Sequence, residues 1–205
     1  MIDKKIIDPK STAILVIDVQ NDYCSEKGII AMKKKFDMMP IQKTIPKIEK
    51  FLEKAREKKV FIIWTRMIEN PKYMAPNAAY KILSDPNLEV LCTPGTYGFQ
   101  YHKIMPKKGE TEVIKKSYDA FVKTNLNSIL KKRKIKNVIV LGFYTSVCVD
   151  STARTAFGLG YNVVIASDLV SMPKQRYDLH KASIKNMEII FAHVMKSYDI
   201  IRGWK

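Results

Sequence analysis

The sequence is short of acids, histidines, cysteines and glycines, and each shortage excludes something. Acidic residues number 20 against 36 Lys and Arg, which leaves a formal net charge of +16. Three cysteines (Cys24, Cys92 and Cys148) make an odd count without metal-type spacing. Neither a disulfide framework nor a zinc module is expected from them, and a reducing cytoplasm is the expected location. None of the three histidines (His102, His180 and His193) falls at the end of a predicted strand, which argues against a Cys–His protease arrangement. Only eight glycines are spread over 205 residues, with no repeat, low-complexity segment or Gly/Ser linker. A single domain spanning residues 1–205 is therefore expected, long enough to bury a sizeable core. No apolar run approaches the roughly 20 residues that cross a bilayer. The opening MIDKKIIDPKST has no apolar signal region, so neither a membrane partner nor export is expected.

The surplus of positive charge raises the question of nucleic acid, whose phosphates clustered Lys and Arg neutralise. The basic residues instead fall in short dispersed runs: Lys33 to Lys35, Lys58 and Lys59, Lys107 and Lys108, and Lys131 to Lys136. Solvated helix ends and loops account for such runs, and no nucleic-acid motif accompanies them. No nucleic-acid partner is expected.

What the chain does contain is an alternation of short apolar runs and helical periodicity. Thr12 to Ile17 (TAILVI), Val60 to Trp64 (VFIIW), Glu112 to Ile114, Asn137 to Leu141, Asn162 to Ala166 and His193 to Lys196 read as strands, the longer ones as buried parallel strands. Thr44 to Lys59, Thr124 to Lys134, a segment from Cys148 to about Gly160, and Tyr177 to Phe191 read as helices, with Thr44 as a cap. Alternating elements of this kind give an α/β fold with a parallel sheet between helices. Residues 65–108 carry five prolines (Pro71, Pro76, Pro86, Pro94 and Pro106) and several tyrosines, which predicts an ordered irregular stretch covering something.

Val138 to Thr152, VIVLGFYTSVCVDST, holds the most chemistry. A buried strand breaks at Gly142 and restarts as a helix with Cys148 in its first turn, where backbone N–H groups favour thiolate over thiol. A strand, a tight turn and a nucleophile at a helix start suggest covalent catalysis. Two further charged residues, Asp18 and Lys115, lie at the carboxyl ends of predicted strands, where open α/β sheets build their sites. A carboxylate to take a proton, an ammonium to hold negative charge and a thiol to attack suffice for acyl transfer without histidine.

Three segments, AILVIDVQNDYCSEKG, PGTYGFQYHKIMPKKGETEVIKKSYDAF and VIVLGFYTSVCVDSTARTAFGLGYNVVIASD, resemble the isochorismatase-like cysteine hydrolases. That superfamily includes nicotinamidases, N-carbamoylsarcosine amidases and ureidoacrylate amidohydrolases. The likeness rests on an I-D-x-Q-N-D start, a K-x-x-Y-x-A-F segment and a T-x-x-C-V-x-S-T segment, in that order. It implies a three-layer α/β/α fold with a six-stranded parallel sheet of order 3-2-1-4-5-6. It also implies catalytic Asp18, Lys115 and Cys148, a cis peptide between Phe143 and Tyr144, and an oxyanion hole formed by the backbone N–H groups of Tyr144 and Cys148. The resemblance implies Lys115 and not Lys116, because the family's Lys falls three residues before the motif Tyr, which is Tyr118 here; the adjacent Lys116 would face the other side of the strand.

The implied activity is cleavage of a C–N bond in a small amide, ureido or carbamoyl compound through a thioester, without a cofactor. Isochorismatase-type and nicotinamidase-type hydrolysis, and a catalytically idle small-molecule binder, are the alternatives. Metal-binding nicotinamidases place an Asp-x-His and a further His after the second strand, where this chain reads TRMIENPKYMAPNAAY. No bound metal is therefore expected. Gln20, Tyr23, Trp64, Arg66 and Tyr97, with Phe143 and Tyr144, are the expected substrate contacts, with Arg66 a candidate anchor for a substrate carboxylate. A homo-oligomer, dimer or tetramer, is expected.

Overall fold

The structure, a computed structural model, describes residues 4–204. Six strands form one parallel sheet of order β3-β2-β1-β4-β5-β6: β1 (Thr12–Ile17), β2 (Phe61–Met67), β3 (Thr111–Lys115), β4 (Asn137–Phe143), β5 (Asn162–Ser171) and β6 (His193–Met195). This is the expected α/β/α architecture. β1 runs TAILVI with all six residues buried, because helices cover both faces of the sheet. Its period of two divides the interior. Ile14 and Val16 join a cluster with Ile41, Ile48 and Phe51 of one helical layer. Ala13, Leu15 and Ile17 join Leu126, Leu130, Ala153 and Met187 of the other.

The helices are α1 (Asn21–Cys24), α2 (Ile29–Lys34), α3 (Met39–Glu57), α4 (Pro76–Ser84), α5 (Leu126–Lys132), α6 (Asp150–Gly158), α7 (Tyr177–Ile190) and α8 (Ser197–Gly203). Five elements outrun the sequence expectation, β3 and β4 by one or two residues and three others by more. α3 begins at Met39, ahead of the predicted Thr44, whose hydroxyl instead donates back to the Pro40 carbonyl at 2.9 Å. β2 continues past Trp64 to Met67 and β5 past Ala166 to Ser171, carried by pairing with neighbours that apolar content alone does not reveal. Asp168 therefore lies inside β5, where it accepts from the Ser197 N–H at 2.8 Å and the Ser197 hydroxyl at 2.6 Å, tying down the start of α8.

β1 and β4 are neighbours whose chains leave the sheet in opposite directions, so a crevice opens at their carboxyl ends. Gly142 permits the close approach there. At φ +118 it occupies a conformation that L side chains avoid, and a Cβ would lie 2.2 Å from the Ile17 carbonyl oxygen. The Pro-rich stretch folds over the same end. Its attachment is the buried Asp22 carboxylate, which accepts from Ile29 N–H at 3.1 Å and Cys92 N–H at 2.8 Å.

Candidate active site

Asp18 follows the last residue of β1 and takes φ +50, a left-handed conformation uncommon for a residue with a side chain and frequent at functional sites. Its backbone N–H donates to the Thr65 carbonyl at 3.3 Å. The Thr65 hydroxyl donates to Asp18 Oδ1 at 2.8 Å, which fixes the plane of the carboxylate. Oδ2 is left to face Lys115 Nζ at 2.7 Å, with both side chains out of solvent.

Lys115 ends β3, two strands away from β1, a gap of about twice the ~4.8 Å strand spacing. Only a long side chain lying over the end of β2 closes that gap, and Nζ passes Met67 Sδ at 3.6 Å on the way. Nζ also donates to the carbonyls of Ser117 and Tyr118, both at 3.1 Å, and lies 3.4 Å from Cys148 Sγ. Lys116 points outward, with its ammonium 5.9 Å from the Tyr73 ring. The structure thus brings Asp18, Lys115 and Cys148 together.

Cys148 is not in the first turn of an α-helix, as the sequence had suggested. It lies in a π-helical turn, Thr145–Val149, that precedes α6, with Val149 N–H reaching the Tyr144 carbonyl at 3.4 Å. Such turns concentrate at functional sites. Burial pushes the thiol well above its ordinary range; the Lys115 ammonium opposes that shift, and the Asp18 carboxylate adds to it, also as a hydrogen-bond partner of the thiol. Burial also works against the Lys115 ammonium, but Asp18 and Cys148 outweigh it, so Lys115 is held above its usual range. Burial thus works toward the thiol and against the thiolate that a helix terminus alone would favour.

Cys148 forms part of the wall of a cavity of about 140 Å³ shared with Tyr23, Glu69, Tyr118, Tyr144 and Arg176. Glu69 sits between two phenols: the Tyr23 hydroxyl donates to Oε2 at 2.6 Å and the Tyr118 hydroxyl to Oε1 at 2.9 Å. Burial raises the Glu69 carboxyl, against the opposing effects of those two hydrogen bonds and of Lys115.

Of the expected substrate contacts, Tyr23 and Tyr144 line this cavity. The others are engaged elsewhere. Gln20 brackets β2, accepting from Met67 N–H at 2.7 Å and donating to the Met67 carbonyl at 3.0 Å. Trp64 is fully buried and donates to Glu110 at 2.8 Å. Arg66 pairs with Glu112 at 2.6 Å and lies 4.3 Å from the Phe99 ring centroid. The Tyr97 hydroxyl meets Ser25 Oγ at 2.9 Å, and Phe143 is core.

Two expectations at the turn need correction. The Phe143–Tyr144 peptide is trans, as are all peptides among the described residues. The reversal is absorbed by the dihedrals of Tyr144 (φ +60, ψ +64) instead of by the peptide bond. In this orientation the Tyr144 N–H donates to the Ser171 carbonyl at 3.0 Å, so it does not face the cavity as an oxyanion donor.

The sequence reading missed Thr65, Glu69 and Arg176. Thr65 and Glu69 follow from the extension of β2, since the strand predicted to end at Trp64 left them in an unassigned loop. Nothing local marks Arg176, which ends a 3-10 turn (Lys174–Arg176) directly before α7 that only the fold carries to the cavity. The nicotinamidase zinc set does not fit this chain. Glu69 stands in the region after β2, already bound to two phenols, and among the described residues no three His, Cys, Asp or Glu side chains gather to hold a metal.

The sequence model described as Isochorismatase domain matches residues 12–199. The ureidoacrylate amidohydrolase RutB of Rhizobium rhizogenes is 31% identical, over 94% of this chain and 83% of its own length. A cysteine hydrolase from Pseudomonas syringae pv. phaseolicola superposes with a TM-score of 0.78 at 23% identity, covering 97% of this chain and 94% of its own. The N-carbamoylsarcosine amidase of Thermoplasma acidophilum does so with a TM-score of 0.72 at 21% identity, covering 91% and 96%. At these identities the two structures attest the fold, while the family match spans nearly the whole chain and both flanks of the crevice. The chain belongs to the isochorismatase family.

Proposed function

We propose that this chain works as an amidohydrolase in which Cys148 attacks the carbonyl of a small amide, ureido or carbamoyl compound. The observation that carries this reading is the buried contact of Asp18, Lys115 and Cys148 at a cavity of about 140 Å³. That volume suits a small metabolite, since drug-sized pockets start at roughly 300 Å³. The 31% identity to a ureidoacrylate amidohydrolase supports the ureido class.

Asp18 takes the thiol proton as Sγ bonds to the carbonyl carbon, because the raised thiol does not ionise beforehand. The Cys148 N–H and the nearby Lys115 ammonium offset the charge that develops on the carbonyl oxygen. Asp18 returns the proton to the leaving nitrogen, the C–N bond breaks, and a thioester remains. Water loses a proton to Asp18 and adds to the thioester; the C–S bond breaks, the proton returns to sulfur, and the acid or carbamate departs. One domain carries these steps. Three free cysteines support a reducing cytoplasm, and exposed Phe157, Ile189 and Ile190 support a homo-oligomer.

An ammonia-release screen over nicotinamide, biuret, carbamoyl amino acids and ureido acids tests the reading. Release is expected from the ureido and carbamoyl compounds, with a loss of about 10³-fold or more in Cys148→Ala. Undiminished hydrolysis by Cys148→Ala would falsify the nucleophile assignment.

A further inference from the structure

The charged members of the site and its nucleophile are held in different ways. Asp18 follows β1 and Lys115 ends β3, so the sheet fixes both. Cys148 has left the sheet. It lies in the turn Thr145–Val149, entered through Tyr144 at φ +60. A π-turn is rare and a left-handed residue bearing a side chain is strained, so such a segment persists only where its surroundings hold it. The hold comes from α7. His180 and Ser183 are three positions apart on that helix and share a face. The Thr145 hydroxyl meets His180 Nδ1 at 2.8 Å, and the Ser183 hydroxyl donates to Asp150 Oδ2 at 2.7 Å. Thr145 stands three residues before Cys148 and Asp150 two after it. Both flanks of the nucleophile are therefore tied to one helix face.

We propose that α7 clamps the nucleophile turn at two points, His180 through Thr145 and Ser183 through Asp150, and that both are positioning residues holding Cys148 Sγ against the Asp18–Lys115 pair. The inference deepens the amidohydrolase reading and rests on it. Each grip is itself fixed. Tyr177 stacks on the His180 ring with 4.6 Å between centroids. Arg154 donates twice to Asp150 Oδ1, at 2.9 and 3.1 Å, which leaves Oδ2 for Ser183. Thr145, His180 and Ser183 are buried, and none of them lines the cavity, so they act on the reaction only through the place they give the sulfur. That place is exacting. Sγ lies 3.4 Å from Lys115 Nζ, and a shift of about 1 Å in a reacting atom can cost about 10²-fold in rate. The walls that receive the substrate come from other segments, so loosening the clamp affects the chemical step and spares binding.

The test measures kcat and KM on the compound of the screen that turns over fastest. Thr145→Val and Ser183→Ala each remove one hydroxyl at nearly constant volume, and each is expected to lower kcat about tenfold or more with little change in KM. Thr145→Ser and His180→Asn keep a hydrogen-bonding group at the same place and should retain most of the rate. His180→Phe added to Thr145→Val should cost nothing beyond the single loss, since both delete one contact. An unchanged kcat in either Thr145→Val or Ser183→Ala overturns the two-point clamp, as does an equal loss in Thr145→Ser. If the wild type hydrolyses no compound of the screen, the amidohydrolase reading has failed. The pH profile of Cys148 alkylation by iodoacetamide then decides the clamp alone, because the charge on the sulfur depends on its distances from Lys115, Asp18 and Glu69. A midpoint displaced in Thr145→Val and Ser183→Ala and returned in Thr145→Ser upholds the clamp. The wild-type midpoint in either Thr145→Val or Ser183→Ala overturns it.

Discussion

At the scale of single residues, the site depends on which atom holds a proton. Burial and the Asp18 carboxylate both raise Cys148, while Lys115 pulls it down. Replacing Asp18 by Asn removes a negative charge next to the sulfur and leaves the ammonium in place. The thiol should then ionise at lower pH, so alkylation of Cys148 by iodoacetamide, followed by peptide mass spectrometry, should become faster at neutral pH. Hydrolysis should move the other way and fall about 10²- to 10⁴-fold, the usual contribution of a positioned general base. A more reactive sulfur in a less active enzyme separates the base from the nucleophile. If hydrolysis and alkylation rose together in Asp18→Asn, a preformed thiolate would be the working species and the proton relay would be wrong.

At the scale of elements, the π-helical turn that carries Cys148 is braced by α7. The Thr145 hydroxyl meets His180 Nδ1 at 2.8 Å. A second buried histidine, His102, donates from Nδ1 to Asn21 Oδ1 at 2.8 Å and accepts at Nε2 from Gln42 at 3.1 Å, a network that fits only the neutral ring. Burial, with Lys181 and Lys196 nearby for His180 and Lys103 for His102, lowers each to about 4. The unfolded chain protonates these rings near ~6.5, so between ~6.5 and about 4 it binds more protons than the folded chain. Stability is full above that window and is lost as pH falls through it, by up to ~1.4 kcal/mol per pH unit for each ring. Urea melts from pH 7 to 4 should show the decline, and His180→Gln should flatten it by up to one proton; an unchanged slope would mean that His180 is not held neutral by the fold.

The same turn shows how far the sequence can be read. Both sides of the crevice were legible, because TAILVI and VIVLGF are continuous buried runs ending in Asp18 and at the break before Cys148, while the choice of Lys115 over Lys116 came from the resemblance, in which the Lys precedes the motif Tyr118 by three residues. The substrate wall was not legible. It depends on how far β2 runs beyond Trp64, on a trans peptide with Tyr144 in the left-handed region, and on Arg176 arriving from the turn before α7. These are consequences of tertiary pairing, which leaves no periodicity to read. Arg66 illustrates the limit. The sequence places it just past β2, whereas it lies within that strand, and Glu112 on the adjacent strand, which decides its fate, is 46 positions away.

At the scale of the whole molecule, the net charge of +16 acquires a role once the substrate is an anion. If the substrate is a small carboxylate, as the ureido class of the proposed function allows, the summed field of the cations is expected to raise its local concentration around the crevice. That field reaches ~30 Å at 0.01 M salt and about 3 Å at 1 M. The kcat/KM for 3-ureidopropanoate should therefore fall about tenfold across that range, while 3-ureidopropanol, identical at the ureido group and different only in the charged end, stays nearly level. Equal slopes for acid and alcohol would show that the surface charge does not steer the substrate, and the lysines would then serve solvation alone.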